Sequence, residues 1–340
     1  MVDSDQTKGS NTSRRTFMQV AGAAGLAALA GCTGGDGGDG GNNGTDGGNG
    51  DGGGDTRLSW HAGGTGGTYF PLSNEFKNII EDNTDFTVNV QSTGASVENV
   101  GSLANGNADF ALIQNDVAFF AKNGTGIDVF QDNPIENLRG VATLYPETIH
   151  VITQANSGIS ALADLEGKVV NTGDLGSGTQ VNALTILETV GITTDDFEEQ
   201  NTGFSQASDQ LKNGDIDAAF VVGGWPVGAV ADIATTNDIS IVPIDGDTRA
   251  SIKEAGSWFA DDTIPAGTYD GIDEDTPTVS VQAMIATAAE VEADTVEQIT
   301  AAIFDNTDAL TIKKDFITKD TAQDGMSIEL HEGAAAYFGA

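Results

Sequence analysis

Cysteine, histidine and positive charge are all scarce in this chain. One cysteine in 340 residues, Cys32, excludes any internal disulfide, whatever the redox compartment. His61, His150 and His331 lie far apart and show no His-x-x-x-His spacing, so neither a metal nor a cofactor is expected. Fourteen basic residues form no stripe that could follow a phosphate backbone, which excludes nucleic acid as a partner. No apolar run reaches the roughly 20 residues a membrane-spanning helix requires. A Gly-x-Ser-x-Gly elbow is also missing, which argues against a hydrolase.

What is plentiful is acid and glycine. Asp and Glu number 51, for a formal net charge of −37, spread along the whole chain. Such self-repulsion is tolerated when salt shortens the Debye length to about 3 Å at 1 M, so the composition reads as halophilic. The first residues are a targeting segment. Ser13-Arg14-Arg15-Thr16-Phe17-Met18 carries the twin arginine of an export signal for folded proteins, followed by a short apolar run from Val20 to Leu29. Leu29-Ala30-Gly31-Cys32 has the form of a lipobox, in which Cys32 is lipidated; the alternative is an ordinary cleaved signal. Thr33 to Thr56 contains only Gly, Asp, Asn and Thr, a composition that buries nothing and would reach roughly 25–30 Å as a coil. Expected organisation is therefore a signal peptide over 1–31, a lipidated tether over 32–56, and a folded remainder on the outer face of the cytoplasmic membrane.

That remainder is long enough for two lobes and alternates strands with helices, the pattern of an α/β fold. Leu103-Ala-Asn-Gly106-Asn-Ala-Asp109-Phe-Ala-Leu-Ile113 is echoed by Leu211-Lys-Asn-Gly214-Asp-Ile-Asp217-Ala-Ala-Phe-Val221. In both, a helix ends at Asn-Gly and a turn aspartate leads into an apolar strand. Each half also carries a glycine loop before a helix: Gly63 to Thr68, and Gly173 to Thr179. We expect two similar α/β lobes joined by a hinge, 57–145 plus 245–340 and 146–244, with a ligand cleft between them.

The glycine loops are neither a dinucleotide fingerprint nor a P-loop, because the lysine that reaches phosphates is missing. They offer amides and hydroxyls, which suit a carboxylate; the alternative is that the glycines serve tight turns only. Thr68, Tyr69, Ser96, Asn99, Ser177 and Thr179 sit at or near expected helix starts, where they can cap, meet a ligand, or both. Gln114 and Asp116 end a strand at its carboxyl edge. Glu147 is either a partner for an ammonium or hydroxyl group or a solvated acid. Trp225, after Gly223-Gly224, walls the cleft or packs in the core, and Tyr269 is placed to close over the pocket.

Several segments together resemble one family. Gly64-Thr-Gly-Gly-Thr-Tyr69, Thr93-Gly-Ala-Ser-Val-Glu-Asn99, Gln114-Asn-Asp116, Leu144-Tyr-Pro-Glu147, Asp164-Leu-Glu-Gly-Lys168 with Gly176-Ser-Gly-Thr179, Pro265-Ala-Gly-Thr-Tyr269 and Leu330-His-Glu-Gly-Ala334 resemble the TAXI receptors of TRAP transporters. Departures are Ala95 for a second glycine, Asn115 for serine and Glu332 for proline. The resemblance implies a periplasmic-binding-protein type II-like fold and a monomer that takes a small anionic solute, glutamate-like or a C4/C5 dicarboxylate. It also implies TRAP permease subunits, fused small and large, as the membrane partner. The residues implied for the ligand are Gly66, Gly67, Thr68, Tyr69, Ala95, Ser96, Asn99, Gln114, Asp116, Glu147, Ser177, Gly178, Thr179, Gly224, Trp225 and Tyr269. A ligand-sensing surface lipoprotein would share all of these features.

Overall fold

The computed structural model describes residues 56–340, which fall within one compact unit, Gly53–Ala340. The expected signal peptide, Cys32 and nearly all of the tether lie outside the described residues. The fold starts with β1 (Arg57–His61), α1 (Tyr69–Asn83), β2 (Thr87–Gln91), α2 (Ser96–Ala104), β3 (Phe110–Gln114) and α3 (Asn115–Asn123). The 17-residue β4 (Leu138–Gln154) then leads to β5 (Val169–Asn171), α4 (Gly178–Thr189), β6 (Glu198–Gln200), α5 (Phe204–Asn213) and β7 (Ala218–Gly223). After α6 (Gly228–Ala234), β8 (Ile239–Ile241), α7 (Gly246–Ala255) and β9 (Ala260–Ile264) comes β10 (Thr276–Ala288), followed by α8 (Ala293–Asp305) and α9 (Glu332–Phe338).

The strands form one sheet in the order β2-β1-β3-β10-β4-β7-β5-β6, with β8 beside β4 and β9 beside β10. The outer strands pair in parallel, β1 with β2 and β3, and β5 with β6 and β7. At the centre β4 and β10 run antiparallel to each other. These two long strands serve both lobes, which makes them the hinge.

The echo in the sequence has a common structural role. Asp109 accepts a hydrogen bond from the Ser59 N–H at 2.7 Å, and Asp217 from the Val169 N–H at 2.9 Å. In each lobe, then, a turn aspartate pins the start of one strand to the neighbouring parallel strand. Gly214 caps α5 at φ 76°, and Gly106 follows α2 at φ 69°, in the left-handed region that glycine tolerates.

Each lobe has its own core. In the first, Trp60 stacks on Phe110 with centroids 5.5 Å apart and tilts against Phe76, and its indole N–H donates to Ser73 Oγ at 3.0 Å. In the second, Ile149, Val170, Ile186 and Phe220 pack together with Ile252, Phe259, Val279 and Val281. The second core thus draws on α7 and the first half of β10, well beyond the expected boundary at residue 244. Its physical cause is that β9 pairs with Thr276–Ser280 of β10 while α7 packs on α4, so the chain returns to the first lobe only along β10.

Candidate functional site

A cavity of about 60 Å³ lies between the lobes, at the carboxyl ends of the parallel strands. Gly66, Gly67, Thr68, Tyr69, Ala95, Ser96, Gln114 and Glu147 line it from one side, and Ser177, Gly178 and Thr179 from the other. The N-termini of α1, α2 and α4 converge there, and first-turn N–H groups have no acceptor within their own helix. Their dipoles favour negative charge in the cavity. No lysine or arginine is among its lining residues.

Among these helix starts is Glu147, at the middle of β4 and 3% exposed. The Tyr69 hydroxyl and Gln114 Nε2 donate to its Oε2 at 2.9 and 3.0 Å, and the Tyr145 hydroxyl to Oε1 at 3.3 Å. Burial pushes its carboxyl up to about 7 against these three donors, and the charge of Asp116 adds to the rise. Gln114 Oε1 is buried and accepts no hydrogen bond. The cavity therefore offers helix-start amides and hydroxyls together with a carboxylate and an unused amide oxygen.

The lobes touch around the cavity. The Ala229 N–H donates to Gly66 O at 3.1 Å, and the Thr68 hydroxyl to Gly224 O at 3.3 Å. Asn182 Nδ2 donates to Asp116 Oδ2 at 2.6 Å. A methyl at Gly178 would overlap the Gln114 side chain and stand 3.0 Å from Ser96 Oγ. At Gly66 it would overlap Ser205 Oγ, and at Gly67 it would come 3.3 Å from the Phe204 ring. These glycines are what let the two lobes approach so closely.

Capping accounts for little of the hydroxyl chemistry. Ser177 caps α4 by accepting from the Gln180 N–H at 3.1 Å, but Thr68 makes no cap bond and reaches across the cleft instead. Ser96 Oγ accepts from the Gln114 N–H at 3.1 Å, which ties α2 to the end of β3.

Five of the residues expected at the site do not line the cavity. Asn99 is fully buried; its Nδ2 donates to Ala62 O and Leu112 O, and its Oδ1 accepts from Thr93, so it laces three segments together. Asp116 stands behind the cavity wall, bonded to Asn182. Gly224 lies under Tyr145 and Lys313. Trp225 is a platform for Lys313, whose Nζ sits 5.0 Å from the ring centroid and donates to Trp225 O. Burial pushes that lysine down to about 8, while Asp262 and Glu147 hold it up.

Tyr269 is buried in the second lobe rather than closing over the pocket. Its hydroxyl accepts from the Val227 N–H and donates to His150 Nε2, both at 2.9 Å. His150 Nδ1 faces two carbonyls, Thr148 O and Val221 O, which assigns its hydrogen to Nδ1. Burial pushes His150 down to about 4, so the ring is neutral.

Gly63, Gly64, Gly94, Asp174, Phe204 and Val222 also line the cavity, and sequence reasoning missed them. Asp174 had a visible signal, since it belongs to the second glycine loop. Burial pushes its carboxyl up, with Glu98 adding to the shift. Phe204 and Val222 come from separate parts of the second lobe and carry no local mark.

Among solved structures, the chain is similar to a protein of Bordetella bronchiseptica RB50, at 15% identity and TM-score 0.51, over 83% of this chain and 81% of that one. It is also similar to the alkanesulfonate-binding protein SsuA of Xanthomonas axonopodis pv. citri (12%, TM-score 0.45, 84% and 83%). A third is the holo form of ArgBP of T. maritima (13%, TM-score 0.46, 73% and 89%). At these identities the likeness concerns the fold alone. The family is shown by a model that matches residues 61–339, nearly all of the described chain: the protein belongs to the NMT1-like family.

Proposed function

We propose that the protein is an extracytoplasmic solute receptor, not an enzyme, which captures a small carboxylate by hinge closure and delivers it to a membrane permease. The observation that supports this most is the cavity itself, which lies between two lobes and is lined by helix N-termini and hydroxyls without a single cation. A water needs about 10–15 Å³ by this measure, so about 60 Å³ holds roughly four to six waters or a correspondingly small solute. Glu147 and Gln114 Oε1 call for a donor on that solute as well as an anionic group, which favours a glutamate-like amino acid over a C4/C5 dicarboxylate. A second carboxylate would face Glu147 at close range.

The resemblance to TAXI receptors makes a TRAP-type secondary transporter the partner in this reading, with the receptor exported by the twin-arginine route and anchored through Cys32. Mass spectrometry of solute released from the purified protein, followed by calorimetric titration with L-glutamate, 2-oxoglutarate and C4-dicarboxylates, tests the ligand. Binding of none of these sinks the carboxylate reading. A gene for a fused permease beside this one supports the TRAP assignment, whereas a transport ATPase there replaces it with an ATP-driven importer. Cys32→Ser should release the exported protein from the membrane, and a variant that stays bound removes the lipid anchor.

A further inference from the structure

Asp116 and Asn182 meet across the seam between the lobes, from α3 on one side and the first turns of α4 on the other. Asp116 is completely buried and Asn182 is 1% exposed. One bond joins them, Asn182 Nδ2 to Asp116 Oδ2 at 2.6 Å. The other oxygen of each side chain, Asp116 Oδ1 and Asn182 Oδ1, is buried with no hydrogen-bond partner. As the two side chains are placed, only one N–H of the Asn182 amide reaches the carboxylate, on Oδ2, and two buried acceptors go unmet at a cost. A proton on the carboxyl changes the inventory. The acid gains a donor, one oxygen ceases to be a charged acceptor, and an acid–amide pair can bond in both directions.

Opening the cleft separates the two side chains, because they belong to different lobes. Water then solvates the Asp116 carboxylate and the amide. We propose that Asp116 and Asn182 form a proton-gated latch: closing the lobes transfers one proton from solvent to Asp116, and loss of that proton loosens the closed form. The proposal rests on the protein being a receptor that opens and closes, and not on the identity of its solute.

Burial pushes Asp116 up to about 6 in the closed form, against the lowering effect of the Val117 N–H, the Asn182 amide and its own N–H. In the open form it returns towards the ordinary carboxylate value of about 4. The closed-state value is the higher one, so protonation favours closure fully below about 4, and the benefit is lost as pH rises through about 6. Among the elements packed on α3, β3 and β10 carry no ionisable residue, and α2 carries Glu98. On β4 are Arg139, the neutral Tyr145, Glu147 and the neutral His150, and across the seam α4 carries only Glu188, at its far end. Of these, Glu147 is the group that feels the Asp116 charge. It titrates in a neighbouring range, so the experiment has to separate the two.

Small-angle scattering of the solute-free full chain, in constant high salt from pH 8 to pH 5, reads the closed fraction directly. For the wild type the ratio of closed to open is expected to rise about tenfold over that range. Asp116→Asn keeps the shape, carries the donor permanently and is expected to be compact at pH 8, with little further change on acidification. A wild type whose dimensions ignore pH overturns the latch. So does an Asp116→Asn variant that responds to pH as the wild type does, because the response then belongs to Glu147. Circular dichroism establishes that the variant is folded. If it is not, Asn182→Ala decides: its compaction should shift to lower pH or vanish, and compaction at the wild-type pH overturns the proposal. Titration with L-glutamate bears on the solute reading alone, so the two can fail separately.

Discussion

The two glycine loops look alike in sequence and are glycine-rich for different reasons. In the first, Gly63 to Gly67 have no left-handed φ; a side chain at Gly66 or Gly67 would instead meet Ser205 or Phe204 of the opposite lobe. In the second, Gly173 at φ 100° and Gly176 at φ 77° are required by the turn itself. Gly178, one position into α4, has an ordinary backbone and belongs with the first group, since Gln114 occupies the space a side chain would take. Composition alone cannot tell a glycine that bends its own chain from one that makes room for another. The distinction matters because the first kind supports the folded lobe and the second kind supports only its closure.

Substitutions should separate the two kinds. Gly178→Ala suits the helix in the open form, yet closing it displaces Gln114 from its bond to the Glu147 carboxylate and overpacks the seam. Those losses together come to roughly 3–5 kcal/mol, a fall in solute affinity of about a hundredfold or more, with unfolding unchanged. Calorimetry on the released solute paired with thermal melts checks this; wild-type affinity would return Gly178 to the turn-forming class. Thr179→Ala, in the same loop, removes a hydroxyl from the cavity wall. If that hydroxyl bonds a charged solute group the cost is about 1.5–3 kcal/mol, ten- to a hundredfold in affinity. Loss of stability without loss of binding would show a purely structural threonine.

Gly173→Ala should act first on the stability of the lobe, though its methyl would also crowd Thr179 and Ser177 of the cavity wall. Forcing a side chain into the left-handed region costs about 1–2 kcal/mol, read as a lower melting temperature of the solute-free protein. A variant that binds less well but melts like the wild type breaks the comparison. Smallest of all is Gly66→Ala, because the obstructing Ser205 Oγ can rotate away; affinity within about twofold of wild type is expected. A larger loss would mean that Ser205 is held in place by the closed cleft.

Much of the fold was legible because its signals are local. Asn-Gly before a turn aspartate announces the same helix-to-strand passage at Asp109 and Asp217, and the structure gives both aspartates one role. The glycine loops and the Gln114 strand end also meet at a single cavity. Long-range order was less visible. Pro146 interrupts the apolar pattern of β4, so Val141–Tyr145 reads as a short strand although the element runs to Gln154. The early end assigned to the second lobe has the same origin, since nothing near residue 244 shows that β10 carries the chain back. Tyr269 follows a glycine turn, as a pocket residue would, but the His150 ring that claims its hydroxyl is 119 residues away in the chain. Asn99 was misplaced for a similar reason: the carbonyls it binds, on Ala62 and Leu112, come together only in the folded lobe.

The hinge strands also divide the cavity mechanically. Their ladder changes register between Gln282 and Met284, opposite Pro146 and Thr143, beside the point where Glu147 faces Val281. A lobe turning about that axis displaces each atom in proportion to its lever arm. Glu147 and its hydrogen-bond partners Gln114 and Tyr69 are close to the fulcrum and scarcely travel. Leu175, 78% exposed in the second glycine loop, belongs to the other lobe and faces Gly94 across the mouth of the cleft. A solute would thus settle on a stationary floor and be gripped by a moving wall, with the contacts that hold the cleft shut, Ala229 to Gly66 and Thr68 to Gly224, standing beside the groups that would recognise it.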